Sequence, residues 1–159
     1  MNTIETQAKE LSEKVGDIIW SMNNEDAFGT FSDRIKTYAN QILDYTTIDY
    51  KINIDNQVDA YISDSIMKKN LILICKETIN NAVKYSKANL LIIECNMKAD
   101  NIHVNIKDNG IGFETKNNKG NGLKNMQQRV AELNGKINII SKLNEGTHIE
   151  FIIPTTNRG

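Results

Sequence analysis

The sequence predicts an α+β fold: a two-layer α/β sandwich, with a mixed sheet covered by helices on one face and preceded by one or two N-terminal helices. Three observations carry this. Apolar residues recur at helical spacing from Ile4 to Ile42. From Ile48 the period changes to alternation. The later strands then come in pairs joined by short polar turns, as hairpins do, so the order of a singly alternating parallel sheet is missing.

Taken in order, Ile4, Ala8, Leu11, Val15, Ile18 and Met22 are spaced by 4, 3, 4, 3 and 4. That is the heptad seam of a helix packing in a bundle; a helix lying on its own domain fits the same spacing. Asn23, Asn24 and Gly29 mark a break. Phe28, Phe31, Ile35, Tyr38 and Ile42 then form a second amphipathic helix. Ile48, Tyr50, Ile52 and Ile54 alternate as a strand, and Asp55 to Gln57 reads as a turn. A long helix runs over 65–85, with Ser63, Asp64 and Ser65 as candidate N-caps. Leu90 to Met97 and the alternating Ile102, Val104 and Ile106 make a hairpin turning at Ala99 to Asn101. Asp108 to Gly122 is rich in Gly, Asn and Lys and reads as a mobile loop. A helix follows from Leu123 to Leu133, stopped by Asn134-Gly135. Ile137 and Ile139, then Ile149, Phe151 and Ile153, mark two last strands around a turn at Asn144 to Gly146, and Pro154 ends the last.

A length of 159 residues holds one domain with a helical extension. A formal net charge of −1 and the lack of a basic stripe argue against a nucleic-acid or anionic-membrane surface. The longest apolar runs, Leu71 to Cys75 and Leu90 to Ile93, are far short of the roughly 20 residues that span a bilayer. Met1 to Lys14 lacks a signal peptide's apolar core. The expectation is a soluble, cytoplasmic chain, compatible with being the inner part of a membrane-anchored receptor. Cys75 and Cys95, each in an apolar run, read as buried free thiols. His103 and His148 are isolated and read as structural.

Four segments carry chemistry. Glu77, Asn81 and Lys84 are spaced i, i+4, i+7 and share one helix face. Two successive asparagines, Asn80 and Asn81, are unfavourable inside a helix unless something uses them. An acid, an amide oxygen and an ammonium suit a magnesium-phosphate site, because Mg2+ takes hard oxygen ligands; a solvent-facing polar stripe fits the same residues. Asp108-Asn-Gly110-Ile-Gly112-Phe113 follows a strand. It is either a plain Asx turn or an acceptor for an exocyclic amine such as adenine N6, with glycines permitting close backbone approach. Gly120-Asn-Gly122-Leu123 opens a helix, as a phosphate cradle or as a flexible linker. Glu145-Gly146-Thr147 alone is a turn. There is no G-x-x-x-x-G-K-[ST] loop, so an ATP site here is not of the P-loop kind.

In this order and spacing the segments resemble the Bergerat-type ATPase domain shared by histidine kinases, type II topoisomerases, Hsp90 and mismatch-repair ATPases. Glu77 to Lys84 looks like its N box, Asp108 to Phe113 its G1 box and Gly120 to Leu123 its G2 box; Gly146-Thr147 also fits. The resemblance covers roughly Tyr45 to Pro154. Asn80 to Ser86 with Ala88, a short lid without an F box, and Gly122 to Arg129 followed by Leu133 to Lys136 look most like the nitrate-sensor and lipid-fluidity-sensor histidine kinases. The resemblance implies the Bergerat ATP-binding fold and ATP and Mg2+ as cofactors. It implies that Asn81 binds Mg2+, Glu77 polarises the reacting group and Lys84 contacts phosphate. Asp108 would hold the adenine amine with Thr147 nearby, and Gly110, Gly112, Gly120, Gly122 and Leu123 would shape the lid and cradle. Tyr85 stands where the family usually has His.

The implied whole protein is a two-component sensor histidine kinase, a transferase acting in a phosphorelay. It passes the γ-phosphoryl of ATP to a His on a helical hairpin and then to a response regulator Asp, as a homodimer. No His here follows the phosphoacceptor pattern. Residues 1–24, with Asp17 to Asn23, resemble the second helix of that dimerisation hairpin, leaving 25–159 as the catalytic domain. The expectation is therefore a fragment that binds ATP without phosphorylating itself. Two alternatives remain at this point: an anti-sigma-type serine protein kinase and a non-catalytic nucleotide-sensing module.

Overall fold

The computed structural model describes residue 7 and residues 29–62, 64–112 and 121–155. The heptad seam from Ile4 to Met22, and with it the proposed 1–24 hairpin helix, falls outside the described residues, Gln7 excepted; so do Phe28, Phe113 and Gly120. The elements run α1 (Phe31–Leu43), β1 (Asp49–Ile54), α2 (Gln57–Tyr61), α3 (Ser65–Tyr85), β2 (Leu90–Lys98), β3 (Asn101–Asp108), α4 (Asn121–Glu132), β4 (Lys136–Lys142) and β5 (Gly146–Pro154).

Local chemistry sets the helix ends. The Thr30 hydroxyl accepts from the Asp33 N–H at 3.1 Å and caps α1. Of the three candidate caps of α3, Asp64 takes the role, accepting from the Met67 N–H at 2.7 Å. The segment read as a turn at Asp55 to Gln57 instead leads into α2. The Asp55 carboxylate accepts from the Gln57 N–H at 2.9 Å, and Val58 is fully buried. A helix this short carries too few residues to show a 3.6-residue period, which is why alternation statistics pass over it.

The sheet has five strands in the order β1-β2-β3-β5-β4. β1 and β2 pair in parallel and every other neighbour is antiparallel, so the sheet is mixed. The one parallel pair needs a crossover, and α2 with α3 supplies it. Both expected hairpins form. Ala99 and Asp100 at one turn and Asn144 at the other adopt positive φ of 49°, 65° and 65°.

Alternation puts Leu91, Ile93 and Cys95 of β2 and Ile102, Val104 and Ile106 of β3 on the buried face. Phe31, Ile35, Ala39 and Leu43 of α1 and Met67, Leu71, Ile74 and Ile79 of α3 meet them. Phe151 of β5 is fully buried between β3 and β4. Phe151→Ala is expected to cost about 3–5 kcal/mol of stability. Urea unfolding reads this directly, and a loss under about 1 kcal/mol would move the centre of the core elsewhere.

The two layers of polar contacts between α3 and α4 fix their direction. The Thr78 hydroxyl, which donates to the Ile74 carbonyl at 2.9 Å, lies 3.1 Å from the Met126 sulfur, and Arg129 donates from Nη1 to the buried Asn70 Oδ1 at 3.1 Å. Moving forward along α4 therefore means moving backward along α3. The helices are antiparallel, and α4 begins beside the last turns of α3.

Both cysteines are free and buried; burial pushes the Cys95 thiol up to about 12 and the Cys75 thiol well above its ordinary value. His103 and His148 lie on the outer face of the sheet. There His103 Nδ1 is 3.7 Å from Glu150, and His148 Nε2 is 2.7 Å from the Asn105 side-chain oxygen. Among the described residues no helix is long and apolar enough to cross a membrane.

Candidate functional site

The site is built where α3 ends. Thr78, Ile79 and Ala82 are buried on its inner face, which leaves Glu77, Asn81 and Lys84 on the flank. Glu77 and Asn81 are half-buried and Lys84 is exposed. Among the described residues, no hydrogen bond ties down the Asn81 amide or the Lys84 ammonium. Glu77 sits against α1: burial first, and then the Glu77 charge, raises the Tyr38 phenol above its ordinary pKa. The Lys76 ammonium lies over the Tyr38 ring at 4.9 Å from its centre.

Because α3 and α4 are antiparallel, the first turn of α4, carrying Gly122 and Leu123, comes level with this flank. A helix N-terminus brings unpaired N–H groups and the positive end of the helix dipole. Leu123 packs against the core and anchors that end.

The second half of the site is the loop after β3, and backbone contacts stitch it to the end of α3. The Ile111 N–H donates to the Ser86 carbonyl at 2.7 Å, and the Asn144 N–H donates to the Ile111 carbonyl at 2.5 Å. The Asn109 side-chain oxygen accepts from the Asn89 and Leu90 N–H groups, both at 3.0 Å. The loop is thus held between the α3–β2 corner and the β4–β5 turn. Its glycines answer to this crowding. A Cβ on Gly110 would stand 2.0 Å from the Ser86 carbonyl oxygen. Gly112, at φ +63°, would put one 2.0 Å from the Lys142 carbonyl oxygen.

Asp108 ends β3 on the face shared with Ile106 and Val104, so its carboxylate faces the helix layer. It accepts from the Gly110 N–H at 2.9 Å. Half-burial raises its pKa above the ordinary carboxylate range, while the Gly110 and Thr147 backbone N–H groups pull it down. Thr147 is its register partner on β5, and Ser141 on β4 is the partner of Thr147. The Ser141 and Thr147 hydroxyl oxygens are 2.7 Å apart.

The structure therefore brings Glu77, Asn81, Lys84, Asp108, Gly110, Gly112, Gly122, Leu123 and Thr147 to one end of the sandwich; Gly120 is outside the described residues. Sequence reasoning missed the Ser86 carbonyl, the Asn109 side chain and Ser141. Only Ser141 had a usable signal: counting outward from the 143–145 turn pairs it with Thr147.

Comparison with known proteins bears on this arrangement. The profile of the family described as histidine kinase-, DNA gyrase B-, and HSP90-like ATPase matches residues 67–157. The chain is 32% identical over 121 residues to the signal transduction histidine-protein kinase/phosphatase DegS of Bacillus subtilis, covering 69% of this chain and 31% of that protein. It is 27% identical over 109 residues to the oxygen sensor histidine kinase NreB of Staphylococcus carnosus, covering 67% of this chain and 31% of that one. The chain thus spans about a third of the length of these curated relatives. Its fold is similar to that of the histidine kinase domain of a blue-light activated histidine kinase from Erythrobacter litoralis, with a TM-score of 0.69 at 17% identity over 80% of this chain and 62% of that one.

Proposed function

Since the chain belongs to the family of histidine kinase-, DNA gyrase B- and HSP90-like ATPases, we propose that it is the ATP-binding catalytic domain of a two-component sensor histidine kinase. The observation that supports this best is the meeting of three differently suited groups at one end of the sandwich. These are the Glu77–Asn81–Lys84 flank, the N-terminus of α4, and the Asp108–Thr147 pair.

In this reading the triphosphate lies between the α3 flank and the first turn of α4, where N–H groups and Lys84 meet its negative charge. The Asn81 oxygen, half-buried and untied among the described residues, suits Mg2+, a cation that takes neutral oxygen donors and would offset phosphate charge. Asp108, ionised, accepts from the adenine amine. Glu77 accepts a hydrogen bond from the attacking group and polarises it. The γ-phosphoryl passes to a phosphoacceptor His on another part of the full-length protein, with ADP leaving, and then to a response regulator Asp. Residues 1–24 would belong to the dimerisation hairpin and 25–159 to the catalytic domain. Positioning and charge neutralisation are most of what phosphoryl transfer asks of a protein.

Calorimetric titration with a non-hydrolysable ATP analogue, with and without Mg2+, tests the reading. Magnesium-dependent binding is the expected result, and the absence of binding in both conditions sinks it. Asp108 adds a pH signature. The folded state holds the Asp108 proton more tightly than the unfolded chain does, so the ionised carboxylate detracts from stability above that range. Binding needs the ionised form. Affinity is therefore expected to fall on acidification, beginning at a higher pH than an ordinary aspartate would give. Asp108→Asn should lose at least about ten-fold in affinity at neutral pH, with or without Mg2+, and should lack that acid-side step. An acid-side loss that persists unchanged in Asp108→Asn would assign it to another group.

A further inference from the structure

Asn109 is exposed, yet both ends of its side-chain amide are engaged. Its Oδ1 accepts from the Asn89 and Leu90 N–H groups, both at 3.0 Å, and its Nδ2 donates to the Asn89 side-chain oxygen at 2.5 Å. The two partners of Oδ1 are backbone donors, so they fix which way the amide points. The Asn109 N–H adds a bond to the Leu90 carbonyl at 3.3 Å, which carries the β2–β3 ladder one residue past the Leu91–Asp108 pair.

The corner that Asn109 grips is itself tied down. The Asn89 carbonyl accepts from the Asp49 N–H at 2.8 Å, and the Ala88 N–H donates to Ser86 Oγ at 3.0 Å. Two residues beyond Asn109 comes a second anchor, the Ile111 N–H on the Ser86 carbonyl at 2.7 Å. Gly110 lies between the two anchors, and a glycine does little by itself to restrict the peptide planes beside it. The anchors supply that restriction. They hold the 109–110 peptide so that the Gly110 N–H meets the Asp108 carboxylate at 2.9 Å.

We infer that Asn109 is a positioning residue for adenine recognition: its amide latches the loop to the Asn89–Leu90 corner, which keeps the Gly110 N–H against Asp108 and so aims that carboxylate at the exocyclic amine. The inference rests on the nucleotide reading above and deepens it. Because the corner directly follows α3, the latch also ties the half of the site that meets adenine to the helix that carries Asn81.

The test pairs a protein change with a ligand change. ADP and purine riboside diphosphate, in which a hydrogen replaces the N6 amine, are titrated into the chain and into Asn109→Ala. Asn109→Ala is expected to weaken ADP roughly ten-fold and to leave purine riboside diphosphate unchanged, which would also show that the variant is folded. In an Asp108→Asn background the Asn109→Ala change should have no further effect on ADP. Amide exchange at Leu90 should quicken in Asn109→Ala, because that N–H loses its side-chain acceptor. Equal weakening of the two nucleotides would show a general structural role and overturn the inference. So would no weakening of ADP, or an unchanged Leu90 exchange rate. If the unaltered chain binds both nucleotides equally, Asp108 does not read the amine and the inference falls while the nucleotide reading stands. If it binds neither, the nucleotide reading falls and takes this inference with it.

Discussion

Asn81→Ala is expected to abolish magnesium-dependent binding of an ATP analogue while leaving the protein as thermally stable as before, or slightly more so. In the proposed reading Asn81 is a direct oxygen donor to Mg2+, and the binding loss follows from removing it. Losing even an indirect partner of a metal ligand costs 10–100-fold in metal affinity, so a drop of at least about a hundred-fold is expected here. The stability follows from position. Asn81 lies on the flank of α3, outside the apolar stripe of Ile74, Thr78 and Ile79. Alanine is the better helix former by up to about 0.7 kcal/mol. Asn80 makes an internal control. It is also half-buried, but it sits about 100° around the helix from Asn81. Asn80→Ala should keep its magnesium dependence. Calorimetry with and without Mg2+, beside a thermal melt of each variant, reads both effects. A melt lost in Asn81→Ala, or a magnesium dependence lost only in Asn80→Ala, would show that the helix face has been assigned wrongly.

Gly110→Ala is expected to be the most damaging single methyl group in the loop. The added carbon would stand 2.0 Å from the Ser86 carbonyl oxygen, and both parties are backbone. No side-chain rotation relieves that. The Ser86 carbonyl also accepts from the Ile111 N–H, and the Gly110 N–H also donates to Asp108. The shift that makes room therefore undoes two hydrogen bonds and moves the carboxylate. A loss of about 3 kcal/mol or more is expected, at the upper end for overpacking. Adenine affinity should fall with it. Equilibrium unfolding in urea measures the first effect and nucleotide titration the second. A cost below about 1 kcal/mol would mean the loop can retreat freely from α3, and the stitching at Ser86 would not be what holds Asp108 in place.

Much of the architecture was legible because its causes are local. The limits of α3 and the two hairpins follow from periods and turn residues within a few positions of one another; of the expected apolar stripe of α1, Phe31 and Ile35 are buried, but beyond them Ala39 and Leu43 take the buried places in preference to Tyr38 and Ile42. The short helix α2 was not legible, because its cause is the burial of Val58 under neighbouring elements, a contact that periodicity does not record. Asp108 was legible as a polar residue at a strand end, but not its raised pKa, which comes first from half-burial.

The sequence by itself determined that this is a hairpin-rich α+β domain, and set out candidate site residues in the order of the N, G1 and G2 segments. Only the tertiary structure decided that these segments share one end of the sandwich. The antiparallel α3–α4 packing through Thr78–Met126 and Asn70–Arg129 decided it on one side. The contacts of Ser86 with Ile111 and of Asn144 with Ile111 decided it on the other. The physical reason is range. Period and turn chemistry act over a few residues, whereas the meeting of Asn81, Asp108 and Thr147 depends on contacts between groups far apart in the chain, which exist only once the layers have packed.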